Sequence, residues 1–311
     1  MRMLPWSAAA YAGLLFLTVA GPVYRTVDTE KLDLTPAVRA AAPGSFVSLS
    51  DGYTHYELAG PSGGRTVVLA AGATVPYYIW DPTFAALTSA GFRVLRYDYF
   101  GRGYSDRPNI AYTQDLYIRQ LTQLLDSLGI REPVDLGGLS FGGSVITTFA
   151  DRFPQRVRSL VYMDPGFREP YDIPDVARLK TATDFITAVF EERAWASEQL
   201  DDFLHPERFP DWPARYRVQL QYRGFRAARL SELINNAKAN QSAELIRVGR
   251  NSRPVLVIWG KQDTNVPFEN SETLMKVMPR ARLVTVEAAG HLPHWEQPEI
   301  VHSAWIAFLR R

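Results

Sequence analysis

The chain has no cysteine, and that absence removes disulfide frameworks, thiolate metal sites and cysteine nucleophiles. It leaves the compartment open, because a cysteine-free protein of this size folds on either side of a membrane. Histidine is scarce as well: His55, His205, His291, His294 and His302 are the whole supply. No HExxH pattern occurs, and the His291/His294 pair lacks the spaced acidic partner of a zinc site, so no metal is expected. Charge of one sign is missing too. There are 34 basic and 33 acidic residues, a net charge of +1, and neither half is biased, so nucleic acid is not an expected partner. Internal repeats and low-complexity tracts are absent. What remains is a hydrophobic fraction of 46% over 311 residues, enough for one large core or two modest ones.

A long uncharged apolar run occurs at the N-terminus. Residues 3–24 carry no charge and follow Arg2, the layout of a basic start before an exported apolar segment. As a cleaved signal peptide, its apolar stretch is Ala8–Ala20, with Thr18 and Ala20 as small residues before a cut and Pro22 working against it. As a signal anchor, its 22 residues reach about 33 Å at about 1.5 Å per residue, enough to cross a bilayer core. A helix buried in the fold is a third reading, with apolar residues all round and no polar face for water. Residues 25–44 read as a polar linker. Both export readings put the folded part in the cell envelope or outside the cell, with the membrane as a partner if the segment stays.

From residue 45 onward strands alternate with helices. Phe46–Ser50 and Tyr53–Leu58 flank Asp51-Gly52, a hairpin signal. Arg65–Ala71, Phe92–Tyr97, Val134–Gly137, Ser159–Met163, Pro254–Trp259 and Ala281–Val286 are short apolar runs suited to buried strands. Leu116–Leu128 repeats leucine at three and four residues, and a last helix is expected over Ile300–Arg310. Such alternation predicts an α/β fold with a mostly parallel sheet, helices on both faces and an antiparallel opening hairpin. Residues 167–245 break the rhythm with no convincing strand, and read as a helical insertion between core segments 45–166 and 246–311.

Chemistry concentrates in Val134–Gly143, VDLGGLSFGG. A bare GxSxG arises by chance in roughly one protein in ten of this length, so context decides its weight. Here it follows an apolar strand and precedes a helical stretch, Ser144–Phe153, the setting of a nucleophile elbow. Ser140 then sits in a strained turn, Gly138 and Gly142 let strand and helix approach, and the helix start points free N–H groups at developing negative charge. A serine hydroxyl needs a base, and the base an orienting acid. Asp263 follows the strand Pro254–Trp259 and His291 follows Ala281–Val286 on a Gly290 loop. Both are at the sheet edge where ligands bind. Asp164, after the preceding strand, is the rival acid, and His294 the rival base; His294 is expected to pack or hydrogen-bond near Glu296. His55 and His302 have structural readings, and His205 reads as a surface residue of the insertion.

These segments, GLSFGG, GKQD and AGHLPHWEQP, resemble the nucleophile, acid and histidine motifs of the α/β-hydrolase superfamily, and YDYFGRGYSDRP is similar to the loop after its fourth strand. The resemblance covers residues 45–166 and 246–311 and implies an eight-stranded sheet with 167–245 as the cap. It implies a serine esterase or lipase with Ser140, Asp263 and His291 as triad and no cofactor. It also implies an oxyanion hole from the backbone N–H groups of Phe141 and Ala73. The sequence departs from the pattern at Ala71-Gly72, where relatives carry His-Gly; the donor is backbone and survives, but a bracing side chain is lost. Serine at the elbow argues against haloalkane dehalogenases and epoxide hydrolases, which need a carboxylate there.

The expected substrate is a small or lipid-like ester with a hydrophobic acyl part. Tyr77, Tyr78 and Trp80, just past the oxyanion loop, are expected pocket neighbours. The cap aromatics Phe190, Trp195, Phe203, Trp212, Tyr216 and Tyr222 divide between pocket and cap core. The arginines from Arg168 to Arg229 could meet a carboxylate or phosphate, or form a solvated face. The same triad also serves C–C bond hydrolysis next to a ketone or acyl transfer, and the fold can serve as a non-catalytic ligand-binding scaffold.

Overall fold

The apolar runs of the sequence become the centre of the protein. The structure is a computed structural model that describes residues 22–175 and 179–311. Strands β3 (Thr66–Ala70), β5 (Val134–Leu139), β6 (Val157–Met163) and β7 (Val255–Gly260) are almost wholly buried, as strands covered on both faces must be. With β1 (Ser45–Leu49), β2 (Gly52–Ala59), β4 (Arg93–Tyr97) and β8 (Arg282–Val286) they form one eight-stranded sheet, ordered β1-β2-β4-β3-β5-β6-β7-β8. β2 runs antiparallel to β1 and β4, and every pairing beyond is parallel. This is the α/β architecture that the strand–helix alternation implies.

Helices α1 (Pro36–Ala41), α2 (Asp81–Ser89), α3 (Gln114–Ser127) and α4 (Phe141–Arg152) lie outside the insertion. In α3 the leucine spacing buries Leu116, Leu121, Leu124 and Leu125 on one face, each stabilising by about 1.5–3 kcal/mol. Helix α4 begins at Phe141, three residues before the expected Ser144. Glycine is a poor helix former, so Gly142 and Gly143 hide the first turn from a propensity reading. Their reason is steric: a Cβ at Gly142 would stand 2.2 Å from the Ala70 carbonyl oxygen. Only glycine lets the helix start press on the end of β3.

Between β6 and β7 the described residues form helices α5 (Lys180–Ile186), α6 (Glu192–Glu198), α7 (Trp212–Leu220), α8 (Phe225–Asn236) and α9 (Ser242–Arg250), with no strand. A π-helical turn, Thr187–Glu191, joins α5 to α6. Helices α10 (Asn270–Val277), α11 (Pro293–Glu296) and α12 (Pro298–Leu309) complete the chain.

Within residues 25–44, expected as a linker, residues 28–33 are held against this insertion. Leu32 forms a parallel bridge with Tyr222, with N–H···O bonds of 2.8 Å to Gln221 and 2.9 Å from Arg223. The buried Arg226 guanidinium donates to Asp28 (2.7 Å), Asp184 (2.9 Å) and Glu192 (2.7 Å), while the Glu30 carboxylate accepts from the Gly224 and Arg226 amides (2.7 and 2.6 Å). The segment is a strap stitched to the cap. Among the described residues no helix is long and apolar enough to cross a membrane, and the candidate span 3–24 lies outside them except for its last three residues.

Candidate active site

Every candidate catalytic residue sits just beyond the C-terminal end of a parallel strand, the edge where open α/β sheets bind ligands. At the end of β5, Ser140 adopts φ 51° and ψ −122°. A non-glycine residue in this region costs about 1–3 kcal/mol and persists only where its surroundings force it. Here they do. The Ser140 N–H donates to Met163 (3.0 Å), and its carbonyl accepts from Gly143 (2.8 Å) and Gly166 (2.9 Å). Phe141 is the first residue of α4, so its N–H has no intrahelical partner and the positive end of the helix lies at the nucleophile.

Asp263 and His291 lie three and five residues past the ends of β7 and β8. Their side chains meet: Asp263 Oδ2 is 2.7 Å from His291 Nδ1. The other carboxylate oxygen accepts from the Asn265 and Val266 amides at 2.8 and 2.9 Å, so the carboxylate is fixed at both ends. Donation from Nδ1 leaves Nε2 as the free base. Burial works against the imidazolium, but the Asp263 hydrogen bond and charge, with the Asp202 charge, outweigh it and raise the His291 pKa above its ordinary value. The insertion takes part here, since the His291 N–H donates to the Asp202 carbonyl at 2.8 Å. A Cβ at Gly290 would stand 2.9 Å from that same oxygen, which explains the glycine beside the histidine.

The two rivals are placed differently. Asp164 is fully buried, strained at φ 42°, and one oxygen accepts from the Gly260 amide at 2.7 Å. It lies close by, with one ligand-type atom each from Asp164, Asp263 and His291 within 4.8 Å of one another. Burial and then the Asp263 charge push the Asp164 carboxyl well above the usual range. It is Asp263 that bonds His291. His294 is turned away: its Nε2 bonds the Ile79 carbonyl at 2.7 Å, and burial lowers its pKa to about 3. Glu296 bonds the Gly290 amide (2.7 Å) and the His205 amide (2.9 Å), not His294.

The loop after β3, the candidate oxyanion loop, packs directly on Ser140, since a Cβ at Gly72 would lie 3.7 Å from Ser140 Cβ. With alanine at position 71, its bracing comes from elsewhere. Tyr99 Oη donates to the Ala71 carbonyl (3.1 Å), Arg102 Nε to the Ala73 carbonyl (2.6 Å), and Gln219 Nε2 to the Thr74 carbonyl (2.8 Å). Arg102 is itself held by Glu232 of α8 at 2.6 Å. Tyr99, Arg102 and Gln219 carry no roles in the sequence reading. The first two could have been suspected as polar residues just beyond β4, at the functional edge. Nothing local marks Gln219, which reaches the loop from α7.

A cavity of about 830 Å³ opens against Ala73 and Phe141 beneath the insertion, with Trp195, Arg168, Arg229 and Leu233 among its walls. Tyr77, Tyr78 and Trp80, expected as pocket neighbours, are not part of it. Trp80 is fully buried against His294 and Trp305, and Tyr77 and Tyr78 line a separate cavity of about 200 Å³. The 3-10 turn Tyr77–Trp80 carries these residues away from the loop they follow. Of the cap aromatics, Trp195 reaches the large cavity, Phe190 is exposed, and Phe203 and Trp212 pack together.

Comparison with known proteins agrees with this fold. The model of the Alpha/beta hydrolase family matches residues 67–304, and the chain belongs to this family of hydrolases. It is similar to the 2-hydroxy-6-oxononadienedioate/2-hydroxy-6-oxononatrienedioate hydrolase of Cupriavidus pinatubonensis, 28% identical, with 88% of this chain and 97% of that protein aligned. It is equally similar to Carboxylesterase YbfK of Bacillus subtilis, 28% identical over 97% of this chain and 96% of that protein. Among solved structures, the enol-lactonase from Burkholderia xenovorans LB400 has the same fold, with a TM-score of 0.73, 24% identity, and 86% of this chain and all of that chain covered.

Proposed function

We propose that this hydrolase cleaves carboxylic esters with a hydrophobic acyl part, with Ser140 as nucleophile, His291 as general base and Asp263 as orienting acid. The observation that carries the reading is the buried Asp263–His291 bond of 2.7 Å together with a strained serine at a helix start, each just past the C-terminal end of a strand of the same sheet. Ser140 Oγ attacks the acyl carbonyl while His291 Nε2 takes its proton, and Asp263 stabilises the imidazolium. The Phe141 and Ala73 N–H groups hold the oxyanion, with Ala73 kept in place through Arg102. The imidazolium protonates the leaving alkoxide. Water, deprotonated by the same histidine, then releases the acid. The N-terminal segment 3–24 supports placement at the cell envelope, anchored or exported.

A second reading, C–C bond hydrolysis next to a ketone, has support in the similarity to the Cupriavidus hydrolase. One experiment separates these from a non-catalytic scaffold. A fluorophosphonate probe is expected to label the wild type and not Ser140→Ala, with turnover of p-nitrophenyl esters. Absence of labelling in folded protein would sink the enzyme reading, and turnover of a vinylogous diketone but of no ester would replace the first reading by the second.

A further inference from the structure

The guanidinium groups on the cavity wall are not equivalent. Arg226 is neutralised by Asp28, Asp184 and Glu192 with Glu30 close by, and Arg102 is committed to Glu232 and the Ala73 carbonyl. Arg168 differs. Its side chain is only 9% exposed, yet Nη2 has no hydrogen-bond partner among the described residues. Its nearest carboxylate, Glu232, lies 4.0 Å away and already serves Arg102 at 2.6 Å. Its remaining polar contact is a long 3.3 Å bond from Nε to Ser144 Oγ. The guanidinium stands 4.9 Å from the centre of the Phe141 ring, the residue at the helix start beside Ser140. Arg229, on the same wall, lies 4.0 Å above the Trp195 ring and forms no ion pair among the described residues. The other acids of the wall, Glu169 and Glu191, are solvent-exposed.

A buried guanidinium without an acceptor is destabilising, and a fold tolerates one most readily where a ligand supplies the missing oxygen. The planar fork of arginine fits a carboxylate, and Arg168 holds one nitrogen, Nη2, without a hydrogen-bond partner among the described residues. We propose that Arg168 and Arg229 form an anion-binding subsite, and that the substrate is an ester bearing a second, ionised carboxylate. The cavity's apolar walls, Trp195 and Leu233 among them, then cover the chain between the two ends. This rests on the ester-hydrolase reading and narrows its substrate class.

The test compares p-nitrophenyl hexanoate with mono-p-nitrophenyl adipate on the full chain. The wild type is expected to prefer the adipate. In Arg168→Gln, kcat/KM for the adipate is expected to fall about 10- to 100-fold further than for the hexanoate, mostly through KM, with partial recovery in Arg168→Lys. Should Arg168→Gln not fold, calorimetric titration of wild type with free adipate serves instead, with hexanediol as the neutral control. Equal losses on both esters, a wild-type preference for hexanoate, or adipate binding no tighter than hexanediol would overturn the subsite. Tighter binding of inorganic phosphate than of adipate would overturn the carboxylate assignment. Probe labelling of Ser140 and hexanoate turnover report on the hydrolase reading separately, so the two failures are distinguishable.

Discussion

At the scale of single residues, three histidines show what a partner does. Burial is the largest cause that lowers His294 to about 3 and His302 to about 4, because a low-dielectric site penalises the charged ring. His291, equally enclosed, is raised instead, since Asp263 holds its Nδ1 and offers a negative charge. In the proposed role of general base His291 works only when neutral, so activity is expected to rise with pH through a value above that of free imidazole. Asp263→Asn removes the charge and presents an amide that favours the wrong tautomer. We expect kcat to fall about 10³- to 10⁴-fold and the acid limb of kcat/KM to move to lower pH. A pH–rate profile checks this, and a limb that stays in place would mean that Asp263 does not set the base. That Ser140 and His291 could be read from sequence has a physical cause, since glycine-flanked residues just past apolar strands land on one edge. Gln219 could not, because its role is a bond to a backbone oxygen of a loop 145 residues away.

At the scale of elements, strands were legible because runs buried on both faces are apolar throughout, whatever their order in the sheet. The strap was not. Its acids read as solvated linker, and their partners lie far along the chain: Asp28 and Arg226 are 198 residues apart. Composition reports polarity and not pairing. The packing makes a specific claim about Arg226→Ala. Removing the one cation leaves Glu30 and Glu192 buried among like charges, and burial already raises both carboxyls above their ordinary range. A buried pair broken on one side costs about 3–5 kcal/mol. The loss belongs to the strap and to α5, α6 and α8, so hydrogen exchange is expected to quicken in those segments while β3, β5 and β6 stay protected. Uniform acceleration through the sheet would show that the strap and cap are no separate unit.

At the scale of the whole molecule, the sheet edge collects the candidate site, while α11 and α12 carry His294 and His302, which the proposed reaction does not use and which are expected to make the fold acid-sensitive. His294 is wholly buried and bonded to the Ile79 carbonyl, and His302 bonds Thr83 at 3.1 Å. In the unfolded chain both take a proton below about pH 6.5. In the folded protein His302 resists until about 4 and His294 until about 3. The unfolded state therefore binds more protons across that window. Their contribution is complete above pH 6.5 and drains away as pH falls toward 4. His291 acts in the opposite sense, contributing below about pH 6.5 and losing that contribution as pH rises through its raised folded value. Urea unfolding between about pH 7 and about pH 4.5 is expected to show a loss of about 2–3 kcal/mol from His294 alone, with less from the partly exposed His302. His294→Gln keeps a donor for the Ile79 carbonyl but cannot be protonated. It should be less stable than wild type at neutral pH, through imperfect packing on Trp80, and flatter in its pH dependence. An unchanged slope in that variant would show that His294 does not carry the acid sensitivity.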